Sequence, residues 1–506
     1  MNCEWTVMKR IGMRLMAGMM GALLSATGAQ AGDEAFQRFQ KGISEILNDP
    51  CLANENYGIK IVSLDRNETM YSARAEQLFS PASNMKLVTT AAALRHLGPD
   101  YRFNTHLYAT GKIEGETLYG DLYLKGLGDP KLVSEQMWLI ANDLKNFPLK
   151  RITGNLVADD SYFDGTKRVP TWKKNVGAQP YNAPMGALSF NFNTVKVFVT
   201  PAEKIGQAPV VVVDPENDYI RVANRARTVP PGKRSRLIVN RVEREGYDLV
   251  TVSGLVSQDR ARKEFYLNIT DPSLYTIHVF RKYLEHAGVK VEGETRLGLV
   301  PPAADLLVEH KSEPLAVILR GLNKYSNNFV AEQILKTLGV ERFGPPGTTE
   351  KGLRVMEDFM KLLGYAPEQF RILDGSGLSR QNQLSPDQIV QVLKNMRGDF
   401  AVFPEFISAL GVMGVDGSVK DRLNHMDLSQ RVRVKTGTLN FISSLSGYFQ
   451  SSDGELFAFS ILMNDLKCTN GKVLKIQDAI VQEGLLFRRA GIPADKDKSP
   501  ALAQNP

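Results

Sequence analysis

Apolar and polar residues follow two different rhythms along the chain, and these rhythms divide it into three parts. Apolar residues at helical spacing predict a helix over 34–47, and alternation predicts strands over 57–64 and 68–72, followed at once by a second helix. From about residue 101 to residue 300 the pattern changes to short alternating runs punctuated by Gly, Pro, Asn and Asp, which indicates a β-rich module. Its predicted strands are 117–124, 195–200, 209–213, 219–223 and 249–256.

Helical spacing returns between residues 310 and 410, and the chain closes with strands and a helix. The predicted helices are 315–322, 329–338, 350–363 and 386–396, and the last elements are strands over 431–438, 442–450 and 456–463 and a helix over 471–490. We therefore expect an α/β domain split into 32–100 and 308–490 by a β-rich insertion formed by 101–126 and 186–307. Turn residues and an irregular pattern in 127–185 predict a nested subdomain there.

Both ends of the chain carry segments that we expect to lie outside the folded domains. A basic stretch, an apolar stretch over 15–26 and a small-x-small site predict a secretory signal over 1–31, cleaved after Ala31, with Met1 and Met8 as alternative starts. That apolar stretch is short for a membrane span and no later segment offers one, so we expect a periplasmic protein without a stable membrane anchor. The polar segment 491–506 predicts a disordered tail.

Charge argues against nucleic acid as a partner. The formal net charge of the 506 residues is +7, and it falls to about +5 once the predicted signal is removed, which supports only mild attraction to anionic polymers. Lysines and arginines are interspersed with acidic residues, and no basic stripe with interleaved aromatic residues is present.

Two cysteines, Cys51 and Cys468, remain after removal of the signal, and each lies beside a predicted strand. If those two strands are antiparallel neighbours, a disulfide between the cysteines is geometrically feasible. The sequence alone leaves the choice between a bridge and two unrelated small apolar residues open.

The first chemical motif is Ser83-x-x-Lys86 at the start of a predicted helix. Ser80 is a suitable N-cap and Pro81 a suitable first helical residue, so Ser83 is expected in the first turn with Lys86 on the same face. A serine nucleophile needs a base beside it. Lys86 could be that base if burial and a second positive charge, that of Lys435, lower its pKa to roughly 7–8.

The second motif is Ser326-Asn327-Asn328, which falls between two predicted helices. There Ser326 could relay a proton to a leaving amine, and Asn328 could hold a substrate amide. A competing match, Ser189-x-Asn191, lies inside the β-rich insertion and ranks lower. Serine and asparagine are also common turn residues, so this motif is weak when taken alone.

The third motif, Lys435-Thr436-Gly437, is followed by Thr438 on a predicted strand. Lys435 and Thr436 offer a charge and a hydroxyl suited to a substrate carboxylate, and Gly437 lets a ligand backbone approach closely. The amides of Thr438 and Ser83 could form an oxyanion hole. The alternative is an edge strand that a lysine protects from aggregation.

Together, in this order, the three motifs describe an acyl-transfer site. They resemble those of the penicillin-recognising D-alanyl-D-alanine carboxypeptidases and endopeptidases of the low-molecular-mass class with a large insertion, the peptidase S13 family. Longer and more specific strings share the resemblance, which covers nearly the whole mature chain: 124–130, 187–191 and 374–380. Asn327 departs from the Asp that relatives often carry at this spacer position.

The resemblance implies a β-lactamase/transpeptidase-like fold, with a five-stranded antiparallel sheet flanked by helices beside a helical subdomain and the site in the cleft between them. It implies that the first and last strands are neighbours, which favours the Cys51–Cys468 bridge. It further implies that Asp160 and Arg380 read the diaminopimelate side chain of peptidoglycan stem peptides.

The implied reaction is acylation of Ser83 by the penultimate D-alanine, followed by hydrolysis, with β-lactams as inhibitors. Carboxypeptidase and endopeptidase action both fit, and the sequence leaves the oligomeric state open, with a homodimer among the alternatives. No cofactor or metal is expected, because the histidines form no ligand-spaced cluster. A β-lactamase or esterase on the same fold, and a non-catalytic cell-wall binding protein, are the alternative functions.

Overall fold

The computed structural model describes residues 32–53, 56–172, 177–424 and 426–489. The predicted signal over 1–31, the choice between Met1 and Met8, and the predicted tail over 491–506 lie outside the described residues. Within those residues, no helix is long and apolar enough to cross a membrane. The first elements are α1 (32–47), β1 (Tyr57–Ser63), β2 (Glu68–Ala73) and α2 (Met85–His96).

The insertion and the returning chain supply the remaining elements. The insertion contains β3 (Asn104–Ala109), β4 (Lys112–Glu114), β5 (Thr117–Tyr119), β6 (Leu122–Gly126), α3 (Ser134–Asp143), β7 (Arg151–Ile152), β8 (Leu156–Asp159), β9 (Thr194–Thr200), β10 (Val210–Asp214), β11 (Ile220–Asn224), β12 (Arg227–Val229), β13 (Arg236–Arg244), β14 (Tyr247–Ser257), β15 (Lys263–Asn268), α4 (Pro272–His286), β16 (Lys290–Val291), β17 (Thr295–Leu297) and β18 (Asp305–Lys311). The returning chain contains α5 (Leu315–Tyr325), α6 (Asn328–Phe343), α7 (Thr349–Leu362), α8 (Pro386–Gly398), α9 (Phe403–Ala409), β19 (Gly411–Val412), β20 (Val432–Leu439), β21 (Ile442–Gln450), β22 (Leu456–Met463) and α10 (Asn470–Leu486).

The main sheet joins the two ends of the chain. Its strands are antiparallel in the order β19-β20-β21-β22-β1-β2, so that five longer strands are extended by the two-residue β19. Tyr57 in β1 lies opposite Met463 in β22. Strand β21 is buried at every position except its last, because both faces of the sheet are covered. One face packs beneath α1 and α10, and the other packs against a group of helices that includes α2, α6 and α8, which we call the helical lobe.

The insertion has its own core, built on four smaller sheets of orders β17-β8-β6-β3-β18, β16-β7-β5-β4, β10-β9-β15 and β11-β14-β12, with β13 also paired to β14. The segment 127–185, predicted as a nested subdomain, supplies β7 and β8 to sheets whose other strands lie outside it. Strand β18, which straddles the predicted boundary at residue 308, pairs with β3 and therefore packs with the insertion.

Two helices in the insertion, α3 and α4, interrupt what the sequence pattern indicated to be a β-rich module. Helix α4 has a well-formed start, because the Asp271 carboxylate accepts from the amides of Ser273 and Leu274 and Pro272 occupies the first turn. Its apolar side, including Tyr275 and Phe280, is buried in the core of the insertion.

Candidate functional site

A cleft of about 970 Å³ opens between the edge of the main sheet, the helical lobe and the insertion. Its lining includes four of the predicted site residues from the three motifs, Ser83, Ser326, Asn328 and Thr436, together with Thr438 and Arg380. Ser83 and Ser326 are 243 residues apart in the sequence. The three motifs still meet, because β20 lies beside the turn that holds Ser83, and the junction of α5 and α6 faces that turn and β20.

Ser83 lies in a single 3₁₀ turn, Ala82–Asn84, that leads directly into α2. The expected cap at Ser80 is wrong: its hydroxyl has no hydrogen-bond partner, and its backbone is instead held by the Asn464 side chain. The turn is fixed by packing, since Ala82 has φ +46° and the Cα of Gly377 lies so close that a Cβ there would be 1.8 Å from the Ala82 carbonyl oxygen.

Lys86 is completely buried beneath Ser83. Its Nζ donates to Ser83 Oγ at 3.0 Å, to Asn328 Oδ1 at 2.7 Å and to the Ser376 carbonyl at 2.6 Å. Burial lowers the pKa of Lys86 to about 7, against the opposing attraction of Asp374 and Glu332. A neutral amine is thus available near pH 7 at hydrogen-bond distance from the hydroxyl. The sequence predicts that burial and the positive charge of Lys435 lower the pKa of Lys86. Burial does lower it, but the neighbouring charges that act on Lys86 are carboxylates, which raise it.

The second motif forms the junction between two helices. Ser326 ends α5 in the left-handed conformation, with φ +57° and ψ +42°, and Asn327 caps α6 by accepting from the Val330 amide. This sharp turn points the Asn328 side chain toward Lys86. The side-chain nitrogen Nδ2 of Asn328 donates to the Tyr181 carbonyl of the insertion at 2.9 Å. The spacer position Asn327 therefore has a capping role.

Lys435 is the second buried amine of the site. Its Nζ donates to Ser326 Oγ at 2.9 Å and to the Thr436 carbonyl at 2.7 Å. Burial holds the pKa of Lys435 well below its ordinary value, and the neighbouring Lys86 lowers it further. The two lysines thus bracket the serines, with Lys86 on Ser83 and Lys435 on Ser326.

Strand β20 presents an open edge to the cleft. Strand β19 pairs only with Arg433 and Val434, so in the described part of the chain the edge from Lys435 onward has no neighbouring strand. The close approach at Gly437 differs from the expected one: a Cβ there would lie 2.1 Å from Ser444 Oγ and 2.9 Å from the Ser83 amide nitrogen. The glycine therefore admits the serine turn of the protein itself, and strand β20 passes close to the Ser83 amide.

A buried carboxylate, Glu332, supports the site from behind, and the sequence analysis did not identify it. Glu332 accepts from the amides of Gly375 and Ser376, at 3.2 and 2.8 Å. Burial and the nearby charge of Asp374 raise the pKa of Glu332 to about 8. The motif 374–380 is thus a loop that Glu332 anchors and that offers the Ser376 carbonyl to Lys86.

Asp374 folds the same loop from within. Its carboxylate accepts from the amides of Gly377 and Ser379 and from Asn382 Nδ2. It also accepts from Trp172 Nε1 at 2.9 Å, and Trp172 belongs to the insertion and lines the cleft. The insertion is therefore tied by hydrogen bonds to the loop that holds Lys86.

Arg380 and Asp160, the two residues expected to contact a substrate side chain, lie in different surroundings. Arg380 lines the cleft and donates to the Asn440 carbonyl. Asp160 does not line it: its carboxylate accepts from the Leu188 amide at 2.7 Å, and burial raises its pKa to about 6. Because it is turned toward the backbone of residues 186–188, Asp160 organises the insertion instead of facing the cleft.

The structure also shows the surroundings of the competing motif at Ser189 and of the two cysteines. The competing motif at Ser189 is structural, since its hydroxyl donates to the Gly186 carbonyl and accepts from Asn193 Nδ2. Cys51 and Cys468 are joined by a disulfide with Cα atoms 5.6 Å apart, and Cys468 borders the cleft. Among the residues that the structure describes, no group of three or more His, Cys, Asp or Glu side chains could hold a metal ion.

Known proteins resemble this chain over most of its length. The D-Ala-D-Ala carboxypeptidase 3 (S13) family model matches residues 39–483. The D-alanyl-D-alanine carboxypeptidase of Actinomadura sp. (strain R39) is 33% identical over 479 residues, which cover 92% of this chain and 87% of the relative. The D-alanyl-D-alanine carboxypeptidase DacB of Haemophilus influenzae is 25% identical over 413 residues, covering 81% and 85%.

Solved structures show the same fold. The crystal structure of penicillin binding protein 4 (dacB) from Haemophilus influenzae superposes with a TM-score of 0.76 at 22% identity, covering 88% of this chain and 99% of that one. A structure of that protein complexed with a novel β-lactam gives a TM-score of 0.70 and covers 86% and 96%. The split α/β domain with a long insertion is therefore the penicillin-binding, transpeptidase-like fold expected from the resemblance.

Proposed function

Because the chain belongs to the D-Ala-D-Ala carboxypeptidase 3 (S13) family, we propose that it hydrolyses D-alanyl-D-alanine bonds of peptidoglycan stem peptides through an acyl-enzyme on Ser83. The observation that carries this proposal is the 3.0 Å contact between Ser83 Oγ and Lys86 Nζ, made by a fully buried amine whose pKa is about 7. Serine attack requires such a base within hydrogen-bond reach.

In the acylation step, neutral Lys86 takes the proton of Ser83 Oγ as that oxygen attacks the penultimate D-alanine carbonyl. The amides of Ser83 and Thr438 would stabilise the negative oxygen of the tetrahedral intermediate. The close approach of Gly437, which precedes Thr438, to the Ser83 amide supports this pairing. The C–N bond then breaks as Ser326 Oγ, bonded to Lys435 Nζ, passes a proton to the departing amine. Ser326 Oγ recovers a proton from the Lys86 ammonium, which leaves Lys86 neutral for the second step. The product is an ester on Ser83.

In the second step, water attacks this ester and returns the proton to Ser83 Oγ, which restores the enzyme and releases a shortened peptide with a new carboxylate. Lys86 serves again as the base that accepts the water proton. Neither step needs an oxidant or a reductant.

Substrate would lie along the open edge of β20. An extended peptide can add to such an edge through its backbone, as in other β-augmentation complexes. Thr436, whose hydroxyl shares a 2.7 Å hydrogen bond with Ser418, and Thr438 then lie beside the terminal carboxylate, with the Lys435 amine behind them. Asn328 is positioned to hold a substrate amide, and Arg380 remains a candidate contact for a side-chain carboxylate.

The same chemistry accounts for inhibition by β-lactams. Attack of Ser83 on the lactam carbonyl opens the ring, but the amine formed stays attached and blocks the approach of water. The Haemophilus influenzae structure complexed with a β-lactam supports this extension. Cleavage of cross-links between stems breaks the same kind of D,D-amide, so we include endopeptidase action, carried out after export to the periplasm.

Mature protein incubated with purified pentapeptide monomers and cross-linked dimers tests the proposal, with Ser83→Ala as the matched control. Mass spectrometry should show loss of one D-alanine from monomers, conversion of dimers to monomers, or both, only with Ser83 present. Unchanged substrates together with rapid β-lactam turnover would instead favour a lactamase. Unchanged substrates without penicillin labelling would favour a binding protein.

A further inference from the structure

One sheet of the insertion has an open face that carries five arginines. We call it the arginine face, and define it by the outward positions of β11, β12, β13 and β14. Side chains alternate across a sheet and directly paired residues share a face, so the registers Arg221↔Leu249, Arg227↔Leu255 and Arg236↔Leu255 place these residues together. Arg225, next to β11, and Arg244, at the end of β13, lie on the same side and complete the set.

No acidic residue occupies a strand position of the arginine face. Its other members are apolar, hydroxyl or amide side chains, among them Ile238, Asn240, Thr251 and Ser253. The opposite face of the same sheet is different, since Arg241 there pairs with the buried Asp248 at 3.3 Å. Within the described residues, none of the five outward arginines forms an ion pair. The positive charge of this face is therefore unneutralised.

The five arginines are exposed, and the contacts they make leave most of their charge available. The guanidinium of Arg221 stacks on the Tyr247 ring at 4.0 Å, and Arg227 donates to the Gly206 carbonyl. The arginines form two rows, one on β11 and β12 and one on β13, which flank β14 on opposite sides. The spacing of strands in a sheet sets these two rows about 10 Å apart. The result is a strip, about 27 Å long from the spacing of residues in β13, with arginines along both edges and a centre in which Thr251 and Ser253 lie between Leu249 and Leu255.

We propose that the arginine face binds the substrate polymer away from the cleft, through the free carboxylates of uncut stem peptides along a peptidoglycan strand. This inference rests on the proposed function and deepens it. None of the five arginines lines the cleft, so the face would hold a neighbouring part of the same polymer. Arginine suits carboxylates because its planar guanidinium donates two parallel hydrogen bonds.

The centre of the strip mixes hydroxyl and apolar side chains. On the middle strand, Thr251 and Ser253 lie between Leu249 and Leu255, and exposed Ile238 lies beside Ser253 on β13. The hydroxyl groups can hydrogen-bond sugars and peptide backbone. The one aromatic ring of the face, that of Tyr247, is covered by Arg221, so the face lacks the exposed Trp and Phe side chains that insert into a bilayer.

The test is binding to intact sacculi by the mature Ser83→Ala protein, which holds substrate without cutting it. We compare this parent with the same protein carrying R225Q, R227Q and R236Q, three changes that remove charge and keep polar side chains of similar length. A matched control carries K112Q, K145Q and R320Q, three exposed basic residues on other surfaces. Co-sedimentation is measured from about 0.05 to about 0.5 M salt, where screening becomes strong.

We expect the face variant to bind sacculi about tenfold more weakly than the parent at low salt, as three exposed charge pairs of ordinary strength would give, and the control variant to bind as the parent does. Parent binding should weaken with salt. With Ser83 restored, the face variant should cleave a soluble pentapeptide at the parental kcat/KM and lose activity only on sacculi.

Equal binding of parent and face variant would overturn the proposal. So would binding of the parent to phosphatidylglycerol–phosphatidylcholine vesicles or to duplex DNA in place of sacculi. Failure of the proposed function would look different, because the wild-type enzyme would then leave the soluble pentapeptide uncut whatever the result with sacculi.

Discussion

Glu332 and Ser376 are joined by a 2.8 Å hydrogen bond from the Ser376 amide, and the carbonyl of the same Ser376 accepts from Lys86 at 2.6 Å. One buried carboxyl group thus sets the position of Lys86, the proposed base, through the backbone of a single residue. When ionised, Glu332 also places a negative charge near Lys86, which raises the pKa of that amine and opposes the effect of burial.

This relationship predicts different effects for two substitutions of Glu332. Because the pKa of Glu332 is raised to about 8, its side chain is mostly protonated where Lys86 titrates, near pH 7. Glu332→Gln resembles that protonated form, so the acid limb of β-lactam acylation should stay in place. Glu332→Asp withdraws the carboxyl group from the amides of residues 375 and 376, so acylation should slow by about tenfold, as for a misplaced catalytic group. Stopped-flow labelling across pH 5 to 9 measures both effects. Parental rates for Glu332→Asp would contradict the positioning role of Glu332, and an acid limb moved to lower pH in Glu332→Gln would show that Glu332 is ionised near pH 7.

The pKa of Lys86 predicts the pH dependence of the wild-type enzyme. The base acts when neutral, so acylation should be slow below pH 6, rise through about pH 7 and then level off. Lys86→Arg cannot give up its proton and should lose a factor of about 10² to 10⁴, the usual contribution of a general base. The measurement is the rate of labelling by a fluorescent penicillin. A flat profile from pH 5 to 8 would contradict the assignment of Lys86 as base.

Ser326 and Ser189 provide a matched pair, because each begins a Ser-x-Asn match and only Ser326 faces the cleft. Ser326→Ala should lower kcat on a pentapeptide by about 10² to 10³ through loss of proton transfer to the leaving amine, and should leave the melting temperature unchanged. Ser189→Ala removes a buried hydroxyl with two hydrogen bonds, and should cost about 1–3 kcal/mol of stability while kcat stays parental. If Ser189→Ala instead lowered kcat while Ser326→Ala lowered only the stability, the catalytic motif would be the one at Ser189.

The disulfide predicts redox-dependent stability. Cys51 precedes β1 and Cys468 precedes α10, so the bridge fastens the neighbouring ends of β1 and β22 across 417 residues of chain. Cys51→Ser with Cys468→Ser should lower the free energy of unfolding by about 2–5 kcal/mol. Denaturant unfolding of wild type and double mutant, each with and without reductant, measures this. Reductant should destabilise the wild type alone, and an equal response of both proteins would rule the bridge out as the cause.

Much of the fold could be read from the sequence wherever the pattern was long and regular. Strands β21 and β22 have the predicted bounds, because alternation and flanking turns mark both ends. Helix α4 was not predicted, although Asp271 and Pro272 are ordinary start signals, because alternating strand patterns surround it in the sequence. The cap at Ser80 failed for a tertiary reason: Asn464, which is 384 residues away, holds that backbone.

The site could be predicted as far as its motifs reach, and no further. The sequence places Ser83, Lys86, Ser326 and Lys435 in order, but it contains no local signal for Glu332, which looks like one polar residue in a helix until its partners at 375 and 376 are known. The arginine face is hidden for a related reason. Its residues lie among acidic neighbours in the sequence, and only the register of four strands separates them.

The strand order of the main sheet also has a consequence for synthesis. Strands β1 and β2 are made early, yet the strand that flanks β1, and the one that carries Lys435, are among the last segments to be made. A nascent chain therefore carries Ser83 for most of its translation without Lys435 or the open edge of β20. The main sheet, and with it the meeting of the three motifs, can form only after the last strands of the chain have been made.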